Sequence, residues 1–385
     1  MVVSQAKEEA SGPVGLAGIV RWVLLLILVY VLIAAVSIIG RGFQAALGDE
    51  ARSLFAFSEN PFVGLMVGIV ATALIQSSTA VTAIIVALVA GGLPVPIAVP
   101  MIMGSNMGTT LTSSIVSLGQ VAEPEDFRRA YAAATIHDGF NLLSILIFFP
   151  LELLFHPLQK LSLLSANLLV GGADVSMSDL NFMGLITRPV VNTVRETVAG
   201  FSTVTGGVVL ILVGLVLIVG SVYCVGKLMK QLMVGRAREL LNMALGQGLL
   251  WGIAAGTLIT VIVQSSTTTT SLIVPLAGAG VVTLWQVYPF TLGANIGTTL
   301  TAILAATAIS GDMAVPAMQI AFVHFYFSVL GVVVVLAIPF LRKLPVLFAQ
   351  WIADLATKRK IYAAVYLLSV FVVIPLLCVL GSVKF

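Results

Sequence analysis

Hydrophobic residues run through this chain in long stretches that only short polar segments separate. A single helix needs about 20 consecutive apolar residues to cross a bilayer, and seven stretches are close to that length or longer. They lie at about 22–40, 95–118, 130–150, 206–225, 285–307, 315–340 and 361–383. The first is longer than the core of a secretory signal, and no cleavage site of small residues follows it. We therefore interpret residues 22–40 as the first spanning helix.

Two further apolar segments, 61–92 and 248–282, differ from the others because polar side chains interrupt them at the middle. The same four residues interrupt both segments, as Gln76-Ser-Ser-Thr79 and as Gln264-Ser-Ser-Thr267. Irregular backbone at membrane depth is tolerated only where protein or a cavity surrounds it. We predict that each segment is a re-entrant hairpin of two half-helices, which enters and leaves on one side of the membrane.

The two interrupted segments belong to an internal duplication. Small residues before the first motif recur at one constant spacing before the second: Gly64, Gly68 and Thr72 are answered by Gly252, Gly256 and Thr260. Further along, Gly104-Ser-Asn-Met-Gly-Thr-Thr-Leu-Thr112 is answered by Gly293-Ala-Asn-Ile-Gly-Thr-Thr-Leu-Thr301, and His137-Asp-Gly-Phe-Asn141 by His324-Phe-Tyr-Phe-Ser328. Many transporters consist of two repeated halves, so the duplication points to that class.

The composition excludes an ordinary soluble domain, in which about 25% of residues are charged. Here 59% of residues are hydrophobic, 9% are charged and the mean hydropathy is +1.13, which indicates an all-α polytopic membrane protein. The net charge of +3 is spread over several loops without a basic stripe, so nucleic acid is not an expected partner. The two cysteines, Cys224 and Cys378, favour neither a disulfide framework nor a thiolate metal site, and we expect no cofactor.

The basic residues predict an orientation, because Lys and Arg concentrate in cytoplasmic loops. One basic cluster lies at 227–238 and a second at 342–360. Placing both in the cytoplasm puts the N-terminus inside the cell and makes the two hairpins enter from opposite faces, which is an inverted-topology repeat. The predicted division is a cytoplasmic segment 1–21, a first repeat 22–150, an extracellular linker 151–205, a second repeat 206–340, and a cytoplasmic basic loop with a C-terminal helix over 341–385.

The two motifs offer hydrogen-bonding groups without charge. The candidate substrate- and ion-binding residues are Gln76, Ser77, Ser78, Thr79, Gln264, Ser265, Ser266 and Thr267. Half-helix N-termini attract anions, whereas C-termini and free carbonyls attract cations. Because neither repeat core contains Lys or Arg, a bound anion needs cations that arrive with it. Serine and threonine in membrane helices also bond back to their own helix, so a purely structural role is the alternative.

Cation coupling also follows from the energy of moving charge. Carrying two negative charges into a cell against about 100 mV, inside negative, costs about 4.6 kcal/mol. Two sodium ions cancel this cost, and a third makes the step electrically favourable. A passive anion pathway would instead conduct outward.

Two further pairs of residues repeat between the halves. Asn106 and Asn295 are flanked by glycine and are predicted at breaks or turns, where an asparagine side chain can bond ligand or backbone. His137 and His324 are predicted to be satisfied packing residues, because no carboxylate recurs beside both: Phe325 stands where Asp138 would repeat. The residues 123–129 are predicted to form a solvated charge cluster at a helix start.

Several runs of residues together carry a resemblance to a known family. They are 60–68, 76–79, 103–108, Asp126-Phe-Arg-Arg-Ala130, Ala134-Thr-Ile-His-Asp138 and 264–267. From about residue 20 onward the chain resembles the type II sodium-dependent phosphate cotransporters. The resemblance implies symport of inorganic phosphate with sodium across the plasma membrane, with the two hairpins forming the site. It also implies Thr82 and Thr270 as sodium-site hydroxyls, and Asn106, Thr109, Thr110, Asn295, Thr298 and Thr299 as further site residues.

The chain departs from that family pattern in three places. Thr79 stands where the first motif of the family has a third serine, which keeps the hydroxyl and adds a methyl group. The 151–205 segment is short and contains no cysteine, so the chain resembles a compact, bacterial-type member. Glu123 stands where relatives place an aspartate, which leaves the sodium stoichiometry open.

Three other functions are alternatives to phosphate symport. A hydrolase would use Ser77 or Ser78 with His137 and Asp138, but the second repeat keeps the serines and loses the aspartate, so we expect no enzyme. An anion channel would also explain polar helix breaks, but it needs a continuous wet path. A symporter of another oxyanion or of a carboxylate remains possible from the residues alone. The sequence leaves the oligomeric state open.

Overall fold

The computed structural model describes residues 16–47, 60–170, 182–244 and 248–382, and within these ranges the chain is helical without a β-strand. The helices are α1 Leu16–Leu47, α2 Pro61–Ile75, α3 Ser78–Ala90, α4 Val95–Gly108, α5 Leu111–Ser117, α6 Pro124–Phe155, α7 Pro157–Val170, α8 Phe182–Thr197, α9 Thr203–Ala244, α10 Leu249–Val263, α11 Ser266–Gly278, α12 Leu284–Ala306, α13 Ala314–Ala337, α14 Pro339–Lys358, α15 Ile361–Leu368 and α16 Ile374–Ser382. A π-helical turn over Ser369–Val373 joins the last two. Most of the predicted 1–21 segment lies outside the described residues.

Six helical stretches in the described part of the chain are long and apolar enough to cross a membrane. They are Ile19–Ala46, Pro124–Phe155, Thr203–Leu228, Leu284–Ala306, Gly311–Ala337 and Ile361–Ser382. The protein is therefore a multi-pass helical membrane protein, as the composition predicts.

The prediction of one spanning helix over 95–118 is wrong. Helix α4 ends at Gly108 and α5 begins only at Leu111. At the break, the Thr109 hydroxyl donates to the carbonyl of Ser105 (3.1 Å) and the Thr110 hydroxyl to that of Met107 (2.9 Å). Such bonds compete with the regular backbone ladder of a helix. The equivalent stretch of the second half, α12, is continuous.

Close helix packing is shared by the two halves. Helix α2 packs on α4, and α10 packs on α12. In the first pair a Cβ at Gly68 would overlap the carbonyl oxygen of Met101, and in the second a Cβ at Gly256 would overlap that of Phe290. Only glycine allows the two backbones to approach so closely. The glycines that recur before each motif are therefore packing residues.

The remaining helices surround these two pairs. Helices α1 and α9 lie along each other, α3 packs against α1, α12 and α13, and α6 packs against α11 and α14. One buried apolar cluster centres on α3, α4 and α13, and another on α6, α10, α11 and α12. The second helix of the first broken segment, α3, thus lies inside the bundle, whereas the first helices α2 and α10 keep an exposed face on which Leu74 and Leu250 are each 77% exposed.

Three segments predicted as connections are helical instead. In the 151–205 linker, α7 and α8 are helices, and the carboxylate of Glu152 accepts the amides of Leu158 (2.7 Å) and Gln159 (3.1 Å) at the start of α7. Helix α9 continues through the predicted basic cluster at 227–238. Helix α14 occupies the predicted basic loop, and its Pro345 packs against Gly139 of α6. Helix α14 is amphipathic with scattered charges, so its sequence has no long apolar run that would indicate a helix.

The charge cluster at 123–129 begins a helix, as predicted. Glu123 has extended backbone and its carbonyl accepts the amide of Phe127 at 2.8 Å, so α6 begins at Pro124. Arg128 pairs with Glu125 at 3.4 Å and Arg129 with Asp126 at 2.6 Å, on an exposed surface. Surface pairs of this kind contribute about 0–1 kcal/mol each, so the cluster marks the helix start more than it stabilises the fold.

Candidate functional site

Both motifs break their helix in the same way. Gln76 has φ 59° and ψ 24°, and Gln264 has φ 55° and ψ 27°, so both are left-handed. Each donates its amide back into the preceding helix, to the carbonyl of Thr72 at 2.8 Å and of Thr260 at 2.7 Å. A left-handed residue ends a helix, and it is uncommon for a residue other than glycine. The same costly conformation at equivalent positions indicates a common structural requirement.

The serine after each glutamine starts the next helix. Ser77 and Ser265 have extended backbone, and their hydroxyl oxygens accept the amides of Ala80 (3.2 Å) and Thr268 (3.1 Å). This is N-capping, and it satisfies one of the free amides at a helix start. The amides of the first two residues of α3 and of α11 are left without a helical acceptor, at the positive end of the helix dipole. Each motif therefore presents a pole that attracts anions.

The glutamine side chains are held in place by two threonines. The side-chain oxygen of Gln76 accepts the hydroxyl of Thr112 on α5, and that of Gln264 accepts the hydroxyl of Thr301 on α12. The amide nitrogen of each glutamine donates to a carbonyl of its own preceding helix. Sequence reasoning missed both threonines, although they are the last residues of the repeated Gly-x-Asn-x-Gly-Thr-Thr-Leu-Thr block and that repetition could have identified them.

The threonines proposed as sodium-site hydroxyls bond within their helices. Thr82 donates to the carbonyl of Ser78 at 2.7 Å, and Thr270 to that of Ser266 at 2.9 Å. The Thr270 hydroxyl also lies 2.8 Å from that of Ser113 on α5, which links the two halves. Thr298 and Thr299 bond to carbonyls of their own helix, α12. Thr109 and Thr110, at the break after α4, bond to carbonyls of α4.

One residue of each motif lines a common cavity. It has a volume of about 310 Å³ and lies between α1, α3, α9, α10 and α12. Thr79 of the first motif and Gln264 of the second both line it, together with Thr301, and its other walls are apolar. Ser78, Thr79 and Ser266 are buried, whereas Ser77, Ser265 and Thr267 are half-buried. Residues from both halves thus border a common space.

The prediction that Asn106 and Asn295 lie at breaks is wrong, because both are inside helices, α4 and α12. Each side-chain oxygen meets a histidine of the other half. Asn295 lies 2.9 Å from Nε2 of His137, and Asn106 lies 2.8 Å from Nε2 of His324. The Nδ1 atoms of both histidines are buried without a partner in the described residues, so the histidines are only half satisfied.

A second pair of bonds completes this arrangement. The amide nitrogen of Asn295 donates to the side-chain oxygen of Asn141 (2.7 Å), and that of Asn106 to the hydroxyl of Ser328 (3.4 Å). Asn141 and Ser328 are equivalent residues of the two halves. Since all these side chains are buried and hydrogen-bonded to each other, the two asparagines join the halves in this conformation.

Asp138 is a fully buried carboxylate on α6. Its Oδ2 accepts the hydroxyl of Tyr366 at 2.8 Å, and its Oδ1 has no partner among the described residues. Among the residues whose side chains the structure describes, which leave out 229–247, no Lys or Arg is buried. A buried carboxylate without a cationic partner is costly, which makes Asp138 a candidate cation ligand. The sequence offered only its position after His137 as a signal.

The hydrolase alternative is not supported by this geometry. A triad needs the histidine on the nucleophile and the aspartate on the histidine. Nε2 of His137 instead meets Asn295, and Asp138 accepts from Tyr366. The Ser77 hydroxyl oxygen accepts the amide of Ala80.

These features define a class: a multi-pass helical membrane protein of two similar halves, each with a helix broken at a polar motif. The sequence profile of the Na+/Pi-cotransporter family matches residues 31–168 and 210–343, one match in each half. The chain belongs to this family, which agrees with the resemblance drawn from its motifs.

Individual proteins match over nearly the whole chain. The sodium-dependent phosphate transport protein 2B of Pongo abelii is 30% identical, over 93% of this chain and 65% of that protein. The sodium-dependent phosphate transport protein 2A is 32% identical in Ovis aries and 33% in Rattus norvegicus, in both cases over 91% of this chain and 66% of that protein. The chain thus spans about two thirds of the length of these relatives. No solved structure matches it.

Proposed function

We propose that this protein is a symporter that imports inorganic phosphate together with sodium by alternating access, and that it is not an enzyme. The observation that carries the proposal is the pair of identical helix breaks, at Gln76 and at Gln264, with one residue of each motif lining a common cavity. The family description and the names of the relatives, which are sodium-dependent phosphate transport proteins, support the choice of substrate and coupling ion.

The proposed arrangement in the membrane is two inverted repeats, 22–150 and 206–340, with re-entrant hairpins over 61–92 and 248–282. Helix length supports the hairpins: Pro61–Ile75 and Leu249–Val263 are apolar but have only 15 residues each. At 1.5 Å per residue each spans about 22 Å, less than the hydrocarbon core of about 30 Å. The N-terminal segment 1–21 and the basic segment at the start of 341–385 are then cytoplasmic, and the C-terminal helix crosses the membrane. The 151–205 linker is extracellular, and the membrane is the plasma membrane.

The proposed site uses the two breaks for opposite charges. Phosphate binds the free amides and hydroxyls at the starts of α3 and α11, at Ser77, Ser78, Thr79, Ser265, Ser266 and Thr267. Sodium binds oxygens of Gln76 and Gln264, where the first half-helices end, and the hydroxyls of Thr82 on α3 and Thr270 on α11. Asp138 adds a carboxylate to the cation ligands. Six further residues can bind ligand only in a state that releases their present hydrogen bonds: Asn106, Thr109, Thr110, Asn295, Thr298 and Thr299.

Charge balance makes the coupling a physical requirement of this site. A phosphate dianion in a buried site needs compensating charge, since its desolvation is otherwise prohibitive. Among the side chains that the structure describes, no buried Lys or Arg could supply it. Sodium ions therefore bind first and create the positive site that phosphate enters.

Purified protein in liposomes tests the function. Radiolabelled phosphate uptake is measured under an inward sodium gradient and under a matched potassium gradient. We expect saturable uptake with sodium and none above empty liposomes with potassium. Equal uptake in the two gradients contradicts sodium coupling, and unitary currents carried by phosphate would indicate a channel.

A different oxyanion is the second candidate, because the site groups are neutral hydroxyls and amides that fit any tetrahedral anion. Arsenate has nearly the shape and charge of phosphate, so we expect it to compete fully with phosphate uptake, whereas sulfate competes weakly. Equal competition by sulfate would reassign the substrate.

A further inference from the structure

A second cavity, with polar walls, lies at the end of α3 opposite to the first motif. It has a volume of about 150 Å³, and Arg41 near the end of α1 and Arg188 at the middle of α8 both line it. Ser37, Gln44 and Ser310 add hydroxyl and amide groups to its wall. Helix α3 has 13 residues, so the cavity lies about 20 Å from the Ser77 cap. We call it the arginine pocket.

Positive charge is concentrated at this pocket. Arg41 donates to the side-chain oxygen of Asn192 on α8 at 3.0 Å. Arg195 lies about one turn after Asn192 on α8. Arg41 is close enough to Arg195 and Arg188 for their charges to repel. Within the described residues, none of the three arginines forms an ion pair with a carboxylate. The cluster therefore carries positive charge that no carboxylate of the described chain neutralises.

Like charges held together in a partly enclosed space favour a bound anion. Arginine presents a planar fork of N–H donors that matches a phosphate oxyanion. The Ser310 hydroxyl and the second amide hydrogen of Gln44 add donors, whereas the Ser37 hydroxyl already donates to the carbonyl of Ala308 at 3.2 Å. A cleft lined by one sign of charge also raises the local concentration of ions of the opposite sign. Arg188, which lines the pocket, is exposed, and Arg195, which lies outside the pocket wall, is exposed too, so the positive charge faces solution.

We propose that the arginine pocket is a second oxyanion site, which binds a phosphate group without sodium. If the ligand is free phosphate, the pocket holds it before it reaches the two motifs. The proposal rests on the function proposed above, which places this end of α1 on the extracellular side. The phosphate group belongs either to free inorganic phosphate or to a phospholipid headgroup, since the arginine fork binds both alike.

Phosphorus NMR tests the site. The measurement is the line broadening of inorganic phosphate by the full-length protein, purified in phosphate-free detergent. The measurement is made in potassium chloride without sodium. The variants are R41Q/R188Q/R195Q and, as matched control, R21Q, which removes one exposed positive charge at the opposite end of α1. The R188Q/R195Q variant, at two exposed positions, keeps the test valid if the triple variant does not fold.

We expect wild-type protein and R21Q to broaden the signal without sodium, and the pocket variants to lose most of this effect. The broadening should weaken as ionic strength rises from about 0.01 M to about 0.15 M, where the Debye length falls from about 30 Å to about 8 Å. In liposomes, the pocket variants should need about two- to tenfold more phosphate for half-maximal uptake, with an unchanged maximal rate and sodium requirement.

Equal broadening by wild type and pocket variants overturns the proposal, as does broadening that appears only with sodium. If the S77A/S265A variant still broadens the signal and the pocket variants do not, the proposal is supported, because the motifs are then not the source of the broadening. If wild-type protein broadens the signal but shows no sodium-driven uptake, the proposed function fails while the pocket stands. Displacement of phosphate by added phosphatidylglycerol assigns the pocket to a lipid headgroup, and absence of displacement assigns it to free phosphate.

Discussion

Nε2 of His137 lies 2.9 Å from the side-chain oxygen of Asn295, which joins the first half of the chain to the second. The reverse pair, His324 with Asn106, has almost the same distance, 2.8 Å. Each half thus supplies one histidine and one asparagine to the contact between halves. Since all four side chains are buried, these bonds bear on the relative position of the halves and hence on the shared cavity at the motifs.

Replacing either asparagine by alanine should destabilise the protein. Asn295→Ala leaves the buried Nε2 of His137 without its partner, and Asn106→Ala does the same to His324. An unsatisfied buried polar group costs about 1–3 kcal/mol, so both variants should unfold at lower temperature in detergent. Thr193→Ala, at an exposed position on α8, is the control and should unfold like wild type. Wild-type melting temperatures in both asparagine variants would contradict the paired arrangement.

The close approach of helix pairs predicts a position-specific effect of adding one methyl group. Gly68→Ala and Gly256→Ala each place a Cβ on a backbone carbonyl of the facing helix. Overpacking costs about 1–3 kcal/mol, and backbone cannot move aside as a side chain does, so yield and thermal stability should fall in both variants. Gly220→Ala, where no atom lies within 4 Å, should be neutral. If all three variants behave alike, the packing of α2 on α4 and of α10 on α12 is not as described.

The threonines that hold the motif glutamines should affect transport rather than folding. Thr112→Val and Thr301→Val remove the hydroxyl that donates to Gln76 and Gln264 but keep the side-chain shape. Loss of one hydrogen bond of about 0.5–1.5 kcal/mol should raise the sodium or phosphate concentration for half-maximal uptake roughly two- to tenfold. Thr307→Val removes a hydroxyl that bonds only within its own helix and serves as the control. Unchanged concentration dependence in both variants would show that the glutamines do not need this support.

Asp138→Asn should specifically weaken sodium binding. The substitution keeps the shape of the side chain and removes the negative charge that makes it a candidate cation ligand. We expect a higher sodium concentration for half-maximal uptake, measured at saturating phosphate. Asp354→Asn removes an exposed carboxylate that pairs with Arg128 and should leave the sodium dependence unchanged. A wild-type sodium dependence in Asp138→Asn would exclude this residue from the cation site.

The sequence predicted those features that depend on local pattern. Two Gln-Ser-Ser-Thr motifs inside apolar segments indicated the helix breaks, because serine N-caps are a local signal. The position of Asn106 inside α4 was predicted wrongly, because flanking glycines signal a turn as readily as close helix packing. The bonds from Asn106 to His324 and from Asn295 to His137 join distant parts of the chain, and nothing in the local sequence encodes them. The break after Gly108 was not predicted either. The same residues, Gly-Thr-Thr-Leu-Thr, recur inside α12 without a break, so the local sequence does not determine it.

Sodium-driven phosphate uptake by Ser77→Ala and Ser265→Ala tests the central claim most directly. Each serine starts the second helix of its pair, so its loss removes a cap and a hydroxyl from the proposed site. We predict that both variants reach the membrane and need more sodium or more phosphate than wild type for half-maximal uptake. Uptake identical to wild type in both variants would contradict the claim that the two broken helices form one transport site.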